Sequence, residues 1–286
     1  MQRLPSIDLH MHSTFSDGTD APARLLKAVK AAGIECFSLT DHDAIQGCVE
    51  LRSLLSPGDP RFIPGIEFSC KDELGKYHVL GYRYDPASPA IGDVLALGHG
   101  YRMKKLGLRL DFLREEFGFV FPEIELQNLY TQPNPGKPHL ANLLVKYGYA
   151  ETKDRAFADF LNRLHAEDDY VRPEEAIRGI LGAGGIPVLA HPCYGDGDQI
   201  ILGEELEQRV VRLSGFGLQG LEGYYSGFSK PLREQVLSLA ARYGLYVTAG
   251  SDYHGTNKLV SLGDTGLKES AAPAEGILRF WEAVTT

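Results

Sequence analysis

The stretch Ile7-Asp8-Leu9-His10-Met11-His12 alternates apolar and polar side chains with the two-residue period of a β-strand. Ile7, Leu9 and Met11 fall on one face and Asp8, His10 and His12 on the other. Two imidazoles on one strand face, two residues apart, can chelate a single cation. Just beyond, Ser16-Asp17-Gly18-Thr19 reads as a short loop whose carboxylate could reach a neighbouring ion. Asp20-Ala21-Pro22 then offers a helix start, a capping candidate followed by Pro in the first turn, and Leu25, Leu26, Val29 and Ala32 keep helical spacing up to Gly33.

Working outward, strand-like runs recur at 34–39, 62–68 and 77–82, with a helix expected over 44–55. From about 85 to 185 the signals turn helical: a long stretch over 94–117 with a break expected near Gly98-His99-Gly100, a loop marked by Pro133, Pro135 and Pro138, then helices over 140–147, 156–164 and 173–181. Strands return at 186–190, 218–221 and 245–249, separated by helices over 203–213 and 231–243. Seven strands alternating with helices predict an α/β fold with parallel strands. In such folds functional groups gather at the carboxyl ends of the strands. The expected organisation is one α/β domain built from 1–84 and 186–286, interrupted by a helical insertion over 85–185.

The chemistry-bearing residues fall where that architecture would use them. His10 and His12 close the first strand, Asp41-His42-Asp43 follows the second, Glu67 closes the third and His78 lies on the fourth. His191, Glu222, and Asp252 with His254 follow the fifth, sixth and seventh. An isolated His-x-His pair, an Asp-His-Asp triplet or an Ala-His-Pro triplet is each compatible with an ordinary packed or capping role. Their serial placement at strand ends points to one metal site. His, Asp and Glu side chains suit Mn, Fe, Zn or Mg rather than a thiolate-preferring ion.

Composition narrows the setting. The 286 residues are 43% apolar and 23% charged, enough to bury a core. Four cysteines, Cys36, Cys48, Cys70 and Cys193, form no Cys-x-x-Cys pair and read as free thiols. The net charge of −9 argues against a broad basic face for duplex nucleic acid. No apolar run has the length of a membrane span, and residues 1–5 carry no signal-like stretch, so a cytoplasmic protein is expected.

Together these stretches resemble the PHP (polymerase and histidinol phosphatase) family of metal-dependent phosphoesterases. The resemblance is carried by Asp8-Leu9-His10-Met11-His12-Ser13 with Ser16-Asp17-Gly18, by Leu39-Thr40-Asp41-His42-Asp43, by Gly65-Ile66-Glu67 and by His78-Val79-Leu80-Gly81-Tyr82. Leu189-Ala190-His191-Pro192 and Gly250-Ser251-Asp252-Tyr253-His254-Gly255 complete it. It implies a distorted seven-stranded (β/α) barrel with three divalent ions. His10, His12, Glu67 and Asp252 would hold one ion, Glu67, His78 and His191 the second, and Asp17, His42 and His254 the third. Three such ions outweigh the carboxylates of Asp17, Glu67 and Asp252, so the mouth would attract a phosphate although the chain is acidic. A metal-bridging hydroxide would attack phosphorus. Asp252, His254 or a metal-bound water would protonate the leaving group.

The insertion is similar to that of the family's nucleotide-phosphatase branch, which has Arg-Pro-His-(Ile/Leu)-Ala where this chain has Lys137-Pro138-His139-Leu140-Ala141. Lys137 keeps the charge of the Arg but loses its bidentate fork. Lys137 and His139 would lie over the mouth and bind phosphate, or His139 is an ordinary loop histidine. Arg102, with Lys105 and Arg109, either faces a nucleotide or forms a solvated helix face. Glu222 and Asp8 would orient metal-bound imidazoles, or are buried hydrogen-bonded carboxylates. His99 and His165 are expected to be ordinary.

The implied activity is hydrolysis of a small phosphomonoester, such as a nucleoside 3′,5′-bisphosphate. Rival readings are an exonuclease on short 5′-phosphorylated oligonucleotides, a histidinol-phosphate phosphatase, a C–N bond amidohydrolase, and a degenerate barrel kept as a scaffold. Amide hydrolases of this kind usually need a Lys or a carbamate bridging two ions, and no Lys lies at a predicted strand end. The oligomeric state is not legible.

Overall fold

The computed structural model describes residues 4–132, 134–164, 169–195, 199–270 and 272–285. The loop position Pro133 and His165 lie outside them. In chain order the elements are β1 (Ile7–Asp8), α1 (Pro22–Ala31), β2 (Cys36–Phe37), α2 (Gln46–Leu54), β3 (Arg61–Phe62), β4 (Gly65–Asp72), β5 (Gly75–Tyr82) and α3 (Pro89–Phe117). There follow α4 (Glu123–Tyr130), α5 (Lys137–Lys146), α6 (Lys153–Ala156) running into a π-turn (Phe157–Leu161), and α7 (Pro173–Gly182). The chain then forms β6 (Ile186–Leu189), α8 (Gly203–Phe216), β7 (Gly220–Tyr225), α9 (Lys230–Arg242), β8 (Tyr246–Gly250) and α10 (Glu275–Thr285). The described residues of 1–95 and 171–286 make one compact unit, and those of 96–170 another.

The first unit has an α/β fold with two sheets. One has the order β1-β2-β3, all parallel, and the other the order β4-β5-β6-β7-β8. Single backbone bridges run between extended segments of the two. Leu9 N donates to Ala249 O, Asp252 N to His10 O and His12 N to Tyr253 O, while Glu67 N donates to Asp41 O and Asp43 N to Glu67 O. The regular pairing expected for all of 7–12 and 34–39 is thereby confined to two residues per strand.

Three expectations fail for local reasons. Residues 62–68 are not one strand: Pro64 has no N–H to extend a ladder, so β3 ends on the first sheet and β4 begins the second. The strands are also not all parallel. β5 is antiparallel to both β4 and β6; the turn between Asp72 and Gly75 is too short for the crossover a parallel pairing with β4 needs. Gly75, at φ 122°, supplies the reversal. The expected break at Gly98-His99-Gly100 is absent, and α3 runs unbroken through these residues. Helix-interior glycines cost only about 1 kcal/mol each, which is too little to force a break.

Apolar faces sit where the periodicity placed them. Leu25, Leu26 and Val29 of α1 and Cys48 and Leu51 of α2 pack on Met11, Phe37 and Leu39. The second unit has its own core of Leu106, Leu113, Leu129, Leu140 and Leu144, with Phe121 and Leu161. No helix among the described residues is long and apolar enough to cross a membrane.

The packing is close where the end of β8 passes the segment after β1. A Cβ built on Gly250 would lie 2.2 Å from the Cβ of His10 and 2.5 Å from Glu222 Oε1. Gly250→Ala should therefore push His10 off its place and cost about 1–3 kcal/mol from overpacking. Urea unfolding of the purified variant checks this, and an unchanged midpoint contradicts it.

Candidate metal centre

Successive strand ends aim at one buried carboxylate. Glu67, on β4, is 1% exposed. Its Oε2 lies 3.2 Å from His10 Nε2, 3.2 Å from His12 Nε2 and 3.1 Å from His42 Nδ1. Its Oε1 lies 3.0 Å from His78 Nδ1 and 3.3 Å from His191 Nε2. The carboxylate of Asp252 joins from beyond β8, with Oδ1 3.3 Å from His10 Nε2 and 3.2 Å from His12 Nε2. Asp17 faces the far side of the cluster: Oδ1 is 3.2 Å from His254 Nε2 and 3.8 Å from His12 Nδ1, and Oδ2 is 3.9 Å from His42 Nε2.

All nine ligand-type residues singled out in the sequence thus meet in one cluster. They interlock rather than separate. Donor atoms of His12, Asp17, His42 and His254 lie within 4.8 Å of one another, as do those of His10, His12 and Glu67, and those of His42, Glu67 and His78. His12, His42 and Glu67 each belong to two of these groups.

Several groups fix the rings from behind. Glu222 Oε1 is 2.9 Å from His10 Nδ1, which leaves Nε2 facing Glu67, and Glu222 Oε2 accepts the His191 backbone N–H at 2.8 Å. His254 Nδ1 lies 2.9 Å from the Asp252 carbonyl oxygen, which directs Nε2 towards Asp17. Asp8 touches no imidazole ring. It accepts the N–H groups of Ser251 and Gly263 at 2.9 and 2.7 Å and so ties β1 to the turn that carries Asp252. Burial lifts its carboxyl to about 6 despite those donors.

Backbone strain collects here as well. Asp43, His191 and Asp252 adopt φ of 47°, 27° and 58°, a region non-glycine residues rarely enter. Such strain persists where surrounding contacts over-determine the conformation, a frequent property of functional sites.

Sequence reading singled out Asp41 without a role and missed Tyr225 and Lys258. Asp41 accepts hydrogen bonds from Ser13 N at 2.7 Å and from the hydroxyls of Ser13 and Ser16 at 2.8 Å each, and Ser16 Oγ lies 3.4 Å from His12 Nδ1. Tyr225 donates to Asp252 Oδ2 at 3.0 Å, and Lys258 donates to the same oxygen. The position of Tyr225 at the end of β7 was an available signal. Lys258 sits in a loop after β8, with no periodicity to mark it.

The residues of the insertion belong to the other unit. Lys137 Nζ donates to Asn162 Oδ1 at 3.0 Å, and His139 Nδ1 accepts the Gly136 N–H at 3.2 Å, capping α5. Arg102 is half-buried on α3, and Lys105 is buried with its ammonium 3.4 Å from the Tyr170 ring centroid, so these residues and Arg109 do not form one uniformly solvated face.

The donor set fits a divalent cation. His10 Nε2, His12 Nε2, Asp17 Oδ1 and Glu67 Oε2 are buried and make no hydrogen bond of good geometry within the protein, although opposing donor and acceptor atoms crowd around them. Burial alone would pull the His12 imidazole down, yet Asp252 and Glu67 outweigh it and hold it up at about 10. Burial opposes ionisation of Glu67 and Asp252, but the surrounding imidazoles hold both well below the usual carboxylate range. His42 goes the other way, pulled to about 3 by burial against the attraction of Glu67 and Asp17. The site therefore concentrates negative charge that needs either protons on imidazole or bound cations.

An α/β scaffold carrying a buried imidazole–carboxylate cluster at its strand ends defines a metal-dependent hydrolase class. The family model described as "PHP domain" matches residues 8–170, and the chain belongs to the PHP family. Among its relatives, a phosphoribosyl 1,2-cyclic phosphate 1,2-diphosphodiesterase of Eggerthella lenta is 31% identical, over 87% of this chain and 94% of its own length. A 5′-3′ exoribonuclease of Haemophilus influenzae is 27% identical over 93% and 96%, and a 3′,5′-nucleoside bisphosphate phosphatase of Chromobacterium violaceum 28% over 88% of each. A solved structure described as an amidohydrolase from Chromobacterium violaceum, with bound sulfate and no metal, superposes with a TM-score of 0.82 at 27% identity, over 97% of this chain and 96% of that one.

Protons and cations compete for the same imidazole lone pairs. Because the metal-free His12 sits at about 10, above its ordinary 6.5, it carries a proton through the neutral range. Mn²⁺ binding must displace that proton, so affinity should rise as pH goes from 6 to 8. Calorimetry in buffers of different ionisation enthalpy should show proton release; binding that is indifferent to pH contradicts the assignment.

Proposed function

We propose that this hydrolase of phosphoric esters removes phosphate from a small nucleotide, with a nucleoside 3′,5′-bisphosphate as the type substrate, at a site for three divalent ions. The observation that carries the reading is the convergence of nine ligand-type side chains in one cluster, with Glu67 at its centre. In this reading His10, His12, Glu67 and Asp252 hold one ion, Glu67, His78 and His191 a second, and Asp17, His42 and His254 a third. The backbone bridges of β1 to the β8 segment and of the β2 segment to β4 support a distorted seven-stranded barrel as the frame.

Divalent ions in such a cluster polarise a phosphoryl group and lower the pKa of coordinated water. The protein's own residues do the rest. Glu222 and the Asp41–Ser16 pair hold the rings of His10 and His12 in orientation, which preserves their lone pairs for the site. Asp252, held well below the carboxylate range, stays ionised at neutral pH and serves as ligand or proton acceptor rather than as the acid for the leaving group. That leaves His254 or a coordinated water for that role. Lys137, His139 and Arg102 are assigned to substrate phosphate on their sequence pattern alone. A nucleotide substrate fits a cytoplasmic enzyme.

A second reading, exonuclease action on short 5′-phosphorylated RNA, is favoured by the relatives named as exoribonucleases, one of which aligns over 93% of this chain. The amidohydrolase reading draws on a solved neighbour described in that word. Lys258 does reach the cluster, but it lies against Asp252 rather than between the groups that would bridge two ions.

A hydrolysis screen on Mn²⁺-loaded protein, which reads released phosphate, released mononucleotide and released amine, separates these readings. It should contain nucleoside 3′,5′-bisphosphates, mononucleotides, short 5′-phosphorylated RNA, histidinol phosphate and an amide panel. Bisphosphate should be the best substrate; preferential turnover of RNA or amides overturns the assignment. His12→Ala should lower kcat/KM on the order of a thousandfold, about 4 kcal/mol, while circular dichroism shows a folded chain. Near-full activity in that variant removes the metal-centre reading.

A further inference from the structure

The two carboxylate oxygens of Asp252 have different surroundings. Oδ1 faces the cluster, 3.3 Å from His10 Nε2, 3.2 Å from His12 Nε2 and 3.4 Å from His254 Nδ1. Oδ2 is turned away. It accepts the Tyr225 hydroxyl at 3.0 Å and the Lys258 ammonium, and Lys258 donates in turn to Tyr225 Oη at 2.9 Å. The three side chains close a ring of contacts around one oxygen.

Each member is held independently. Asp252 sits in a left-handed backbone conformation fixed by its N–H to the His10 carbonyl at 2.8 Å. Tyr225 is buried, with its ring 5.4 Å from that of His191 and 5.2 Å from that of Phe228. Lys258 follows the single turn of 3₁₀ helix at Gly255–Asn257, and its side chain is 34% exposed. A lysine half in solvent would ordinarily leave its ammonium in water; here it points inward to a carboxylate.

A carboxylate with both oxygens free can chelate an ion through both and occupy a position that water or substrate should take. Catalytic metal sites keep such a position open. We propose that Lys258 and Tyr225 clamp Oδ2 so that Asp252 offers only Oδ1 to an ion shared with His10 and His12, which makes Lys258 a positioning residue of the centre. The proposal rests on the metal-dependent phosphoesterase reading. It adds to the site an ammonium group that is not among the nine ligand-type residues.

The test uses Mn²⁺ alone as the first probe. Metal uptake by elemental analysis and Mn²⁺ affinity by calorimetry are measured on the full chain and on Lys258→Met, Lys258→Arg and Tyr225→Phe, with thermal unfolding as the control for folding. Freeing Oδ2 gives an ion a second donor atom and removes a neighbouring positive charge, so Lys258→Met should bind Mn²⁺ more tightly than the wild type. Loss of an outer partner of a metal ligand typically costs about 10–100-fold in affinity or activity, and here the cost should fall on kcat for p-nitrophenyl phosphate, because the open position is lost. Lys258→Arg, which keeps a cation on Oδ2, should stay near the wild type in both readouts. Tyr225→Phe keeps the ring packing and should tighten binding by a smaller factor, so it reads the clamp even where Lys258→Met lowers the unfolding midpoint. Wild-type or weaker affinity in both Lys258→Met and Tyr225→Phe overturns the clamp. So does a raised KM with metal affinity unchanged, which would make Lys258 a substrate contact. A wild-type chain that takes up no Mn²⁺ overturns the phosphoesterase reading and the clamp with it.

Discussion

A single carboxylate, Glu67, organises the molecule. Burying an ionised carboxylate without partners is so costly that the group ordinarily takes up a proton instead. Glu67 is buried and yet held well below the usual carboxylate range, because five imidazoles from four segments of the chain surround it. That arrangement requires the start of β4, the middle of β5 and the segments after β1, β2 and β6 to pass within a few ångströms of one point. The strand pairing, the bridge between His42 and Glu67 and the positive φ of His191 and Asp252 all serve this requirement.

Around this centre the polar groups form two shells with different tasks. The inner atoms crowd one another without good hydrogen bonds, as lone pairs meant for a cation would. The outer atoms are well bonded: Glu222 to His10 and to the His191 amide, Asp41 to Ser13 and Ser16, and Asp8 to Ser251 and Gly263. Rigid outer contacts let the inner side chains keep positions that their mutual repulsion would otherwise loosen. Gly250 and Gly47 mark how little room remains: a Cβ on Gly47 would lie 2.2 Å from Asp41 Oδ2. The chain's overall negative charge is compatible with a phosphate substrate, since the field at the site is set by what binds among these nine residues and not by the distant surface.

The names of the relatives state substrates as different as a cyclic phosphate, a nucleoside bisphosphate and RNA.

Residue type and local period were enough to find the nine converging side chains. Alternation along 7–12 put His10 and His12 on one face, and His42, Glu67, His191 and Asp252 each stood at or just past an apolar run that reads as a strand. These are short-range properties, set by backbone sterics and by which face must be buried. The tertiary structure alone decided how those strands pair. Pro64 splits one predicted strand between two sheets, and the tight turn at Asp72–Gly75 reverses β5, neither of which alters the apolar pattern along the chain. It also decided the partners of Asp252. Lys258 and Tyr225 are far apart in sequence and follow no shared period, so their meeting on one carboxylate oxygen depends on where the loop after β8 packs, and that is a property of the folded chain.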